Sequence, residues 1–279
     1  MQNTIRYIET ELRSVYPKTE ITGLTRLIIE SLTGWDFSQQ ILNKNSVMDN
    51  SITDSVISII DRLKKHEPIQ YILGETEFFD LKINVNPSVL IPRPETEELV
   101  QLILKSNIKK DGAILDIGTG SGCIALALKS KLINATVAGV DISDDALEVA
   151  RRNAKKNNLK VVFFESDILN WESRNWNQFD VIVSNPPYVK ESERLQMRPN
   201  VLDYEPAGAL FVPDNDPLIF YQRIVEFASQ YLTPKGYLFF EINEYMDAEM
   251  TKLLKSFRFK NIETCNDING KKRMIYGNK

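Results

Sequence analysis

The stretch "AILDIGTGSGCIALAL" (residues 113–128) decides the fold of this chain. Its beginning, "AILDIG", is a short apolar run typical of a buried strand, and its end, "GCIALAL", is typical of a helix. Gly118, Gly120 and Gly122 lie between the two, where glycine allows a tight turn and lets a ligand approach the backbone. A glycine loop between a strand and a helix is typical of nucleotide-binding α/β domains, so the stretch predicts such a domain.

The spacing of these glycines differs from that of a dinucleotide-binding loop. The dinucleotide fingerprint is G-x-G-x-x-G, whereas the loop here is G-x-G-x-G, with Cys123 where the third glycine would fall. A glycine loop alone is weak evidence for a particular ligand. Its position between strand and helix, directly after Asp116, strengthens the prediction. The predicted binding loop consists of Gly118, Thr119, Gly120, Ser121 and Gly122.

Strand and helix patterns alternate on the C-terminal side of this loop. The further strands are "ATVAGVDI", "KVVFFESD", "FDVIVSN" and "GYLFFEIN", and the helices are "DDALEVARRNAKKN", "PLIFYQRIVEFASQYL" and "AEMTKLLKSF". Apolar strands separated by helices predict an α/β fold with a mostly parallel sheet covered on both faces. The final strands, "NIETCND" and "KRMIYGN", are joined by a short connection and are predicted to form an antiparallel C-terminal hairpin.

The N-terminal part of the chain has a different pattern. "IRYIETELRSVY", "LTRLIIESLTG" and "ITDSVISIIDRLKKHEP" space their apolar residues three or four apart, which predicts helices. We predict a small helical domain over residues 1–70, a β-hairpin linker over 71–92 with Gly74 as a turn residue, and the α/β domain over 93–279. Residues 1–70 contain eight Lys and Arg against nine Asp and Glu, so the helical domain is nearly neutral.

Composition and charge argue against several classes of protein. The chain has 34 Lys and Arg against 38 Asp and Glu, a net charge of −4, without the basic stripe that nucleic-acid-binding proteins usually carry. We expect no stable nucleic-acid binding and, because no apolar run approaches the ~18 residues that span a bilayer, no membrane insertion. His66 is the single histidine, too few for a metal site, and Cys123 and Cys265 lie in apolar runs that do not suggest a disulfide. We predict a reduced, cytoplasmic protein without a metal.

Two acidic residues follow the second and third strands of the α/β domain. Asp141 ends the strand in "AGVDIS", where a carboxylate can accept hydrogen bonds from both hydroxyls of a ribose. Its alternative role is the N-cap of the next helix, although Ser143 or Asp144 could serve there. Asp167 in "ESDIL" is predicted at the same edge, where it could accept from an adenine amino group while Ile168 covers the ring. Since the chain has no G-x-x-x-x-G-K-[ST] loop, these residues predict a site for an adenosine without phosphates.

The stretch "SNPPYV" (residues 184–189) ends the apolar strand "FDVIV" with two prolines. Proline donates no backbone hydrogen bond and fixes its own φ, and the residue before it is held extended. The segment is therefore rigid, and it places polar and aromatic groups at the end of the fourth strand. A simple strand-ending turn is the alternative interpretation.

Taken together, these motifs resemble those of class I S-adenosylmethionine-dependent methyltransferases, whose sheet is Rossmann-like and mostly parallel. Asn185-Pro186-Pro187-Tyr188 resembles the motif of enzymes that methylate a planar exocyclic or amide nitrogen. Within that set, "IPRPETEELV", "LDIGTGSGCIALAL", "VSNPPYV", "YEPAGAL" and "LFFEIN" resemble the release factor glutamine methyltransferases, the HemK/PrmC family. The likeness runs essentially end to end, including the helical N-terminal domain and the hairpin.

The resemblance implies a cofactor, a reaction and a substrate. S-adenosylmethionine would be held by loop 118–122, Asp141, Asp167, Ile168 and Asn185. The methyl group would go to the side-chain amide nitrogen of the glutamine in the Gly-Gly-Gln motif of peptide chain release factors, with the N-terminal domain as the docking surface. The residues that would act on this substrate are Asn185 and Pro186 as acceptors of the two amide protons, Pro187 as a stiffener of the turn, and Tyr188 against the flat amide.

Two stretches depart from the family pattern. Relatives often carry a glycine after the strand that matches "LFFEI", where this chain has Asn243, and paired glycines after "YEPAGAL", where it has "FVPDNDP" at residues 211–217. The first departure concerns the loop beyond the fifth strand, and the second concerns a segment near the substrate. Neither touches the positions assigned to the cofactor or the Asn-Pro-Pro-Tyr motif.

The nearest alternative is an adenine-specific DNA methyltransferase, which uses the same tetrapeptide, and an RNA-base methyltransferase comes next. Either would be expected to have a basic groove or a target-recognition domain that holds a flipped base. A non-enzymatic scaffold would be expected to have lost Asn185 or the glycine loop, and both are present. We therefore predict an enzyme, an S-adenosylmethionine-dependent protein-(glutamine-N5) methyltransferase.

Overall fold

A computed structural model describes all of residues 1–279, which fold into two compact units. The helical unit contains Met1–Gly74 together with Arg198–Tyr204, and the sheet unit contains Glu75–Met197 together with Glu205–Lys279. The helices are α1 (Gln2–Leu12), α2 (Lys18–Thr33), α3 (Phe37–Leu42), α4 (Asn50–Leu63), α5 (Ile69–Leu73), α6 (Pro94–Lys105), α7 (Cys123–Lys131), α8 (Asp144–Lys156), α9 (Pro199–Leu202), α10 (Ile219–Tyr231) and α11 (Asp247–Ser256). None of them is both long enough and apolar enough to cross a membrane.

The strands form one large sheet and two small ones. They are β1 (Glu75–Phe78), β2 (Leu81–Asn84), β3 (Ala113–Ile117), β4 (Thr136–Asp141), β5 (Val162–Glu165), β6 (Phe179–Ser184), β7 (Val189–Lys190), β8 (Phe211–Val212), β9 (Leu232–Glu241), β10 (Lys260–Asn266) and β11 (Lys272–Asn278). The large sheet has the order β10-β11-β9-β6-β3-β4-β5. Its first five strands in the chain are mutually parallel, β11 runs antiparallel to β9, and β10 runs antiparallel to β11. The predicted mostly parallel sheet with an antiparallel C-terminal hairpin is confirmed.

The helical unit packs around one apolar core. Ile8, Leu12, Ile28 and Ile29 are completely buried on α1 and α2, and they pack with apolar residues of α4. These positions follow the three- and four-residue spacing that predicts the helices. The short helices α3 and α5 were not predicted, because six and five residues are too few to show a period.

The β1–β2 hairpin belongs to the sheet unit. Asn153 of α8 is completely buried and exchanges hydrogen bonds with the backbone of Asn84, accepting from its N–H (2.7 Å) and donating to its carbonyl oxygen (3.0 Å). The same Asn153 amide also donates to the carbonyl oxygen of Ser121 (2.9 Å), so it fixes the hairpin and the glycine loop to one helix. The sequence predicts this hairpin within a linker over 71–92; β1 and β2 lie inside that range, and its role as a linker stays a prediction.

The strand order places the ends of several strands together. The chain runs from β3 to β4 and β5 on one side, and then returns to β6 on the other side of β3. In open parallel sheets, ligands bind at the carboxyl ends of the strands where the order reverses in this way. The loops after β3, β4, β5 and β6 therefore meet at one edge of the sheet.

Candidate active site

A cavity of about 450 Å³ lies at this carboxyl edge. Most of the residues that the sequence assigned to the cofactor and the substrate line it, namely Gly118, Thr119, Gly120, Ser121, Asp141, Asp167, Ile168, Asn185, Pro186 and Pro187. Gly122 and Tyr188 do not line the cavity. The fold thus brings residues from four separate loops to a single chamber.

The glycine loop turns with a left-handed backbone at each of its glycines. Gly118, Gly120 and Gly122 have φ of 70°, 53° and 80°, a region that side chains with a Cβ rarely adopt. The Gly118 and Thr119 N–H groups both donate to the Val140 carbonyl oxygen at 2.9 Å, which holds the loop against β4. A Cβ on Gly122 would lie 3.1 Å from the Cβ of Ala150, so this glycine allows close packing against α8 and does not face the cavity.

Asp116 lies beneath the loop and is completely buried. Its Oδ2 accepts from the Thr119 hydroxyl (2.6 Å) and from the Ala125 N–H (3.2 Å), whereas its Oδ1 has no partner in the chain. Burial raises the pKa of Asp116 to about 7, against the opposing effect of these two hydrogen bonds. Asp116 does not line the cavity, and the missing partner of its Oδ1 is in keeping with the raised pKa of the buried carboxyl.

Asp141 bridges the glycine loop and the start of α8. Its carboxylate accepts from the Gly120 N–H (2.8 Å) and from the Ser143 N–H (3.0 Å), and burial raises its pKa. The N-cap of α8 is Ser143, whose side chain accepts from the Ala146 N–H. Asp141 therefore does not serve as the helix cap, and each of its oxygens retains a lone pair at the cavity wall.

Asp167 and Ile168 follow β5 at the same edge. The Asp167 carboxylate accepts from the Leu169 N–H (2.9 Å) and from the Asn170 amide (2.6 Å), which caps the 3₁₀ turn that follows. Ile168 is buried and presents apolar surface to the cavity. The capping contacts fix the Asp167 carboxylate at the rim and occupy one lone pair of each oxygen.

The Asn-Pro-Pro-Tyr segment is held by residues that are far away in the sequence. The Asn185 Nδ2 donates to the Thr96 hydroxyl oxygen (3.3 Å), and the Thr96 hydroxyl donates to Glu241 Oε2 (2.6 Å). The Tyr188 hydroxyl donates to the other oxygen of the same carboxylate, Glu241 Oε1, at 3.1 Å. Two residues of the tetrapeptide are thus connected to one buried carboxylate.

Glu241 at the end of β9 is 2% exposed. Burial raises the pKa of its carboxyl, and the hydrogen bonds from Thr96 and Tyr188 and the positive charge of Arg273 oppose that rise. Burial also raises the pKa of the Tyr188 phenol, with the Glu241 charge as the next contribution, so Tyr188 is a hydrogen-bond donor at neutral pH.

A second buried carboxylate supports the segment that leads into α6. Glu205 Oε1 accepts from Arg93 (2.6 Å), a residue that lines the cavity, and Glu205 Oε2 accepts from the Ile91 N–H (3.2 Å). The Glu205 side chain is 1% exposed and the Arg93 side chain is 33% exposed, so only the carboxylate of this ion pair is shielded from solvent. It joins the "IPRPETE" and "YEPAGAL" stretches of the sequence.

The two departures from the family pattern have ordinary local structures. Asn243 is buried and its Oδ1 accepts from the Tyr245 N–H (3.1 Å), a side-chain turn that starts the loop after β9. In the other departure, Phe211 and Val212 form β8, which pairs in parallel with β7 directly after the Asn-Pro-Pro-Tyr segment. Asp214 then accepts hydrogen bonds from the Ser192 side chain and backbone.

Comparison with known proteins identifies the family. Residues 4–74 match the family described as PrmC N-terminal domain, and residues 95–202 match the Methyltransferase small domain. The chain is 46% identical over 268 residues to the release factor glutamine methyltransferase of Flavobacterium psychrophilum, covering 95% of this chain and 94% of that protein. It is 42% identical over 279 residues to the release factor glutamine methyltransferase of Bacteroides thetaiotaomicron, covering 100% of both.

The chain belongs to the release factor glutamine methyltransferase family. Members are S-adenosylmethionine-dependent methyltransferases, so it is an enzyme of that class, as predicted. Its fold is similar, with a TM-score of 0.53 and 20% identity, to the 16S rRNA N2 G1207 methyltransferase of T. thermophilus in complex with AdoMet and guanosine, over 74% of this chain and 49% of that one. The predicted class I methyltransferase fold is confirmed.

Two residues that support the site, Thr96 and Glu241, were not predicted from the sequence. Thr96 lies inside "PRPETE" and Glu241 inside "LFFEIN", two stretches that carry the family likeness without a role for either residue. The signal that could have found Glu241 is an acid directly after the apolar run "LFF", since a carboxylate at the end of a buried strand requires partners. No group of three or more His, Cys, Asp or Glu side chains is arranged to hold a metal ion.

Proposed function

We propose that this enzyme transfers a methyl group from S-adenosylmethionine to the side-chain amide nitrogen of the glutamine in the Gly-Gly-Gln motif of peptide chain release factors. The observation that carries the proposal is that one cavity contains both the adenosine-type binding loop and the Asn185 carboxamide, whose oxygen accepts no hydrogen bond from the chain. Membership of the family supports the choice of substrate. A cytoplasmic location stays a prediction.

The residues around the glycine loop fit S-adenosylmethionine. The loop glycines allow close approach of the cofactor to the backbone, and the free lone pairs of Asp141 suit ribose hydroxyls. Ile168 provides an apolar wall for the adenine, and Asp167 at the rim accepts from its amino group. When bound, the cofactor supplies an electrophilic methyl group on a positively charged sulfur.

Asn185 and Pro186 are suited to hold the substrate amide. An amide nitrogen is a poor nucleophile because its lone pair is delocalised into the carbonyl group. Asn185 Oδ1 and the Pro186 carbonyl oxygen accept no hydrogen bond from the chain, so each can take one proton of the substrate amide. These acceptors increase the electron density on nitrogen and stabilise the positive charge that develops there. The rigid prolines preserve this geometry with little loss of entropy on binding.

The reaction is a single displacement. S-adenosylmethionine held by the glycine loop and Asp141 would supply the methyl group, and its sulfur would keep the electron pair of the C–S bond. The amide nitrogen would use its lone pair for the new N–C bond, and its surplus proton would pass to solvent. The role of the chain is to orient the amide, to exclude water with Pro186 and Pro187, and to accept the amide hydrogen bonds.

Asn185→Ala should lose roughly 100-fold or more in kcat, because it removes an acceptor from the developing charge, while its effect on cofactor affinity should be small beside that effect on kcat. Asp141→Ala is the contrasting variant, and it should weaken S-adenosylhomocysteine binding through loss of the ribose acceptor. Calorimetry with S-adenosylhomocysteine and initial rates with a purified release factor measure the two effects. Equal kcat for Asn185→Ala and wild type would contradict the proposed role of the motif.

The substrate class is tested by incubation with methyl-labelled cofactor and equal amounts of a release factor, its Gln→Ala variant at the Gly-Gly-Gln motif, duplex DNA and total RNA. Label should appear only in the unmodified release factor, and peptide mass spectrometry should place it on the glutamine. Labelled DNA or RNA with an unlabelled release factor would overturn the proposal in favour of a nucleic-acid methyltransferase.

A further inference from the structure

Three segments of the sheet unit converge behind the Asn185 side chain. They are the first turn of α6 with Thr96, the residue Tyr188 beyond β6, and the end of β9 with Glu241. We propose that Thr96 and Glu241 are positioning residues, which fix the Asn185 carboxamide with Nδ2 turned inward and Oδ1 presented to the substrate. This inference rests on the proposed function, because it assigns the reason why Asn185 acts as an acceptor.

The direction of the hydrogen bonds follows from counting protons. A threonine hydroxyl has one proton, and Thr96 gives it to Glu241 Oε2 at 2.6 Å. The Thr96 oxygen then has only lone pairs to offer, so it can accept from the Asn185 Nδ2 but cannot donate to Oδ1. The opposite orientation of the carboxamide would place two oxygens against each other. Asn185 therefore has one preferred orientation of its amide.

Glu241 sets the donor-to-acceptor direction of these hydrogen bonds. Its ionised carboxylate can only accept, and its two oxygens receive the hydroxyl protons of Thr96 and Tyr188. The Tyr221 hydroxyl donates to the Glu241 main-chain carbonyl oxygen (2.9 Å), which anchors the residue itself. Glu241 and Thr96 are 2% and 3% exposed, so water does not compete for these hydrogen bonds.

Groups on several neighbouring elements act on the ionisation of Glu241, and Cys123 of α7 and Tyr221 of α10 also interact with it electrostatically. Arg273 of β11 favours the charged form and Glu95 of α6 opposes it, while the Thr96 and Tyr188 hydroxyls favour it. Protonation would make Glu241 a donor to one of the hydroxyls and would remove the fixed direction of the chain of hydrogen bonds. The orientation of Asn185 should therefore depend on pH.

The fixed amide has a consequence for substrate choice. With Oδ1 outward, Asn185 accepts a proton from a carboxamide N–H of the substrate. With Nδ2 outward, the Asn185 side chain would present N–H donors to the N–H groups of the substrate carboxamide. That orientation would instead favour a substrate side chain that ends in a carboxylate. The arrangement thus selects glutamine over glutamate at the reacting position.

The first test compares Thr96→Val with Thr96→Ser. Valine has the shape of threonine without the hydroxyl, and serine keeps the hydroxyl without the methyl group. Thr96→Val should lower kcat roughly 100-fold through misorientation of the reacting amide, with S-adenosylhomocysteine affinity unchanged, and Thr96→Ser should recover most of the kcat. Thr25→Val is the matched control, because Thr25 is also buried and its hydroxyl has no partner, so its kcat should equal wild type.

The second test is the pH dependence of kcat for wild type, Thr96→Val and Glu241→Gln. Burial raises the pKa of Glu241, so wild-type kcat should fall on the acid side as Glu241 becomes protonated. A glutamine at position 241 does not titrate, and valine at position 96 disconnects Asn185 from it. The fall of kcat on the acid side (the acid limb of the profile) should therefore be absent in both variants. Thr96→Ser should keep this acid limb.

A third readout does not depend on turnover. In wild type without substrate, the two Asn185 Nδ2 protons should give separate, slowly exchanging NMR signals, assigned by their loss in Asn185→Ala. These signals should broaden or shift in Thr96→Val. Wild-type kcat in Thr96→Val, an equal loss in Thr96→Ser, or an unchanged acid limb in Glu241→Gln would each overturn the inference. Failure of wild type itself to methylate the release factor would instead overturn the proposed function, and the NMR comparison would still decide the orientation of Asn185.

Discussion

At the scale of one residue, Asp116 shows how the burial of a carboxyl group opposes the stability of the fold. The residue ends a central strand with its carboxyl completely buried and one oxygen unpaired. A carboxyl in that environment favours the protonated form, and its pKa is accordingly raised to about 7. Asp141 and Glu241, at the same edge of the sheet, also have raised pKa values because of burial. The carboxyl edge of the sheet therefore concentrates carboxyl groups whose ionised forms are made less favourable by burial.

The pH dependence of stability should reveal Asp116. Between its ordinary pKa of 3.8 and its folded pKa of about 7, the unfolded chain is ionised while the folded chain holds the proton. The free energy of unfolding without ligand should therefore fall as pH rises through this window and level off above it. The total fall should be on the order of a few kcal/mol, as expected for a pKa difference of this size between the folded and the unfolded chain. Urea unfolding of Asp116→Asn should show a flatter dependence between pH 5 and pH 7.5.

The matched control is Asp111→Asn, which makes the same change of charge at an exposed position five residues earlier. This variant should keep the wild-type dependence on pH. A flat wild-type curve, or equal slopes in wild type and Asp116→Asn, would contradict the assignment of a raised pKa to Asp116.

At the scale of elements, the N-terminal end of α7 packs closely against α8, and this packing requires a small residue at the N-cap of α7. Gly122 is the N-cap of α7 with a left-handed backbone, and an added Cβ would lie 3.0 Å from the Phe163 ring and 3.1 Å from the Ala150 Cβ. Both a backbone preference and a lack of space therefore require glycine here. The same contact sets the position of the loop that faces the cavity.

A comparison of Gly122→Ala with Gly270→Ala separates the cost of the left-handed backbone from the cost of the missing space. Gly270 lies in the turn between β10 and β11 with φ of 78°, and nothing lies within 4 Å of its added Cβ. Gly270→Ala should thus cost only the left-handed backbone penalty of about 1 kcal/mol in unfolding free energy. Gly122→Ala should cost clearly more and should weaken S-adenosylhomocysteine binding, as measured by urea unfolding and calorimetry. Equal losses of stability, with unchanged affinity in both, would argue against a packing role for Gly122.

At the scale of the whole molecule, the chain returns to the helical unit long after leaving it. Arg198–Tyr204 belongs to the same compact unit as Met1–Gly74, and the Tyr204 hydroxyl donates to the Lys65 carbonyl oxygen (2.8 Å). We propose that these two segments unfold together. The apolar cores of the two units consist of different residues, so a defect in one core can be local.

Ile28→Ala tests this division. Ile28 is completely buried in the helical unit, and its truncation should cost roughly 2–5 kcal/mol of the stability of that unit. Hydrogen exchange should then speed up in residues 1–74 and 198–204, with little change in the strands of the large sheet and unchanged S-adenosylhomocysteine affinity. Leu27→Ala is the control, since Leu27 is 42% exposed and its truncation should alter exchange little. Faster exchange throughout the sheet, or a protected 198–204 segment, would contradict the proposed unit.

The longer elements and the chemistry of the cavity edge were predictable from the amino-acid sequence. The longer strands and helices of the α/β domain were predictable because their signals are local: apolar runs of strand length, helical periods, and glycines or prolines at the junctions. The two-residue strands β7 and β8 were not predicted. Parallel strands then bring their carboxyl ends to one edge, so the glycine loop, Asp141 and Asn185 had to converge. Short helices such as α3 and α5 were not predicted because they are too short to show a helical periodicity of apolar residues.

Only the tertiary structure decided which side chains support that edge. Thr96, Asn185 and Glu241 are connected by hydrogen bonds across separations of 89 and 145 residues, and Asn153 reaches Asn84 across 69. The contacts of Thr96 with Asn185 and Glu241 require that β9 lies next to β6 and that α6 packs against β9, and the contact of Asn153 requires that α8 packs against β2. No local pattern carries that information. A hydrogen bond depends on a few tenths of an ångström and on the direction of one proton, whereas sequence periodicity specifies only which face of an element is buried.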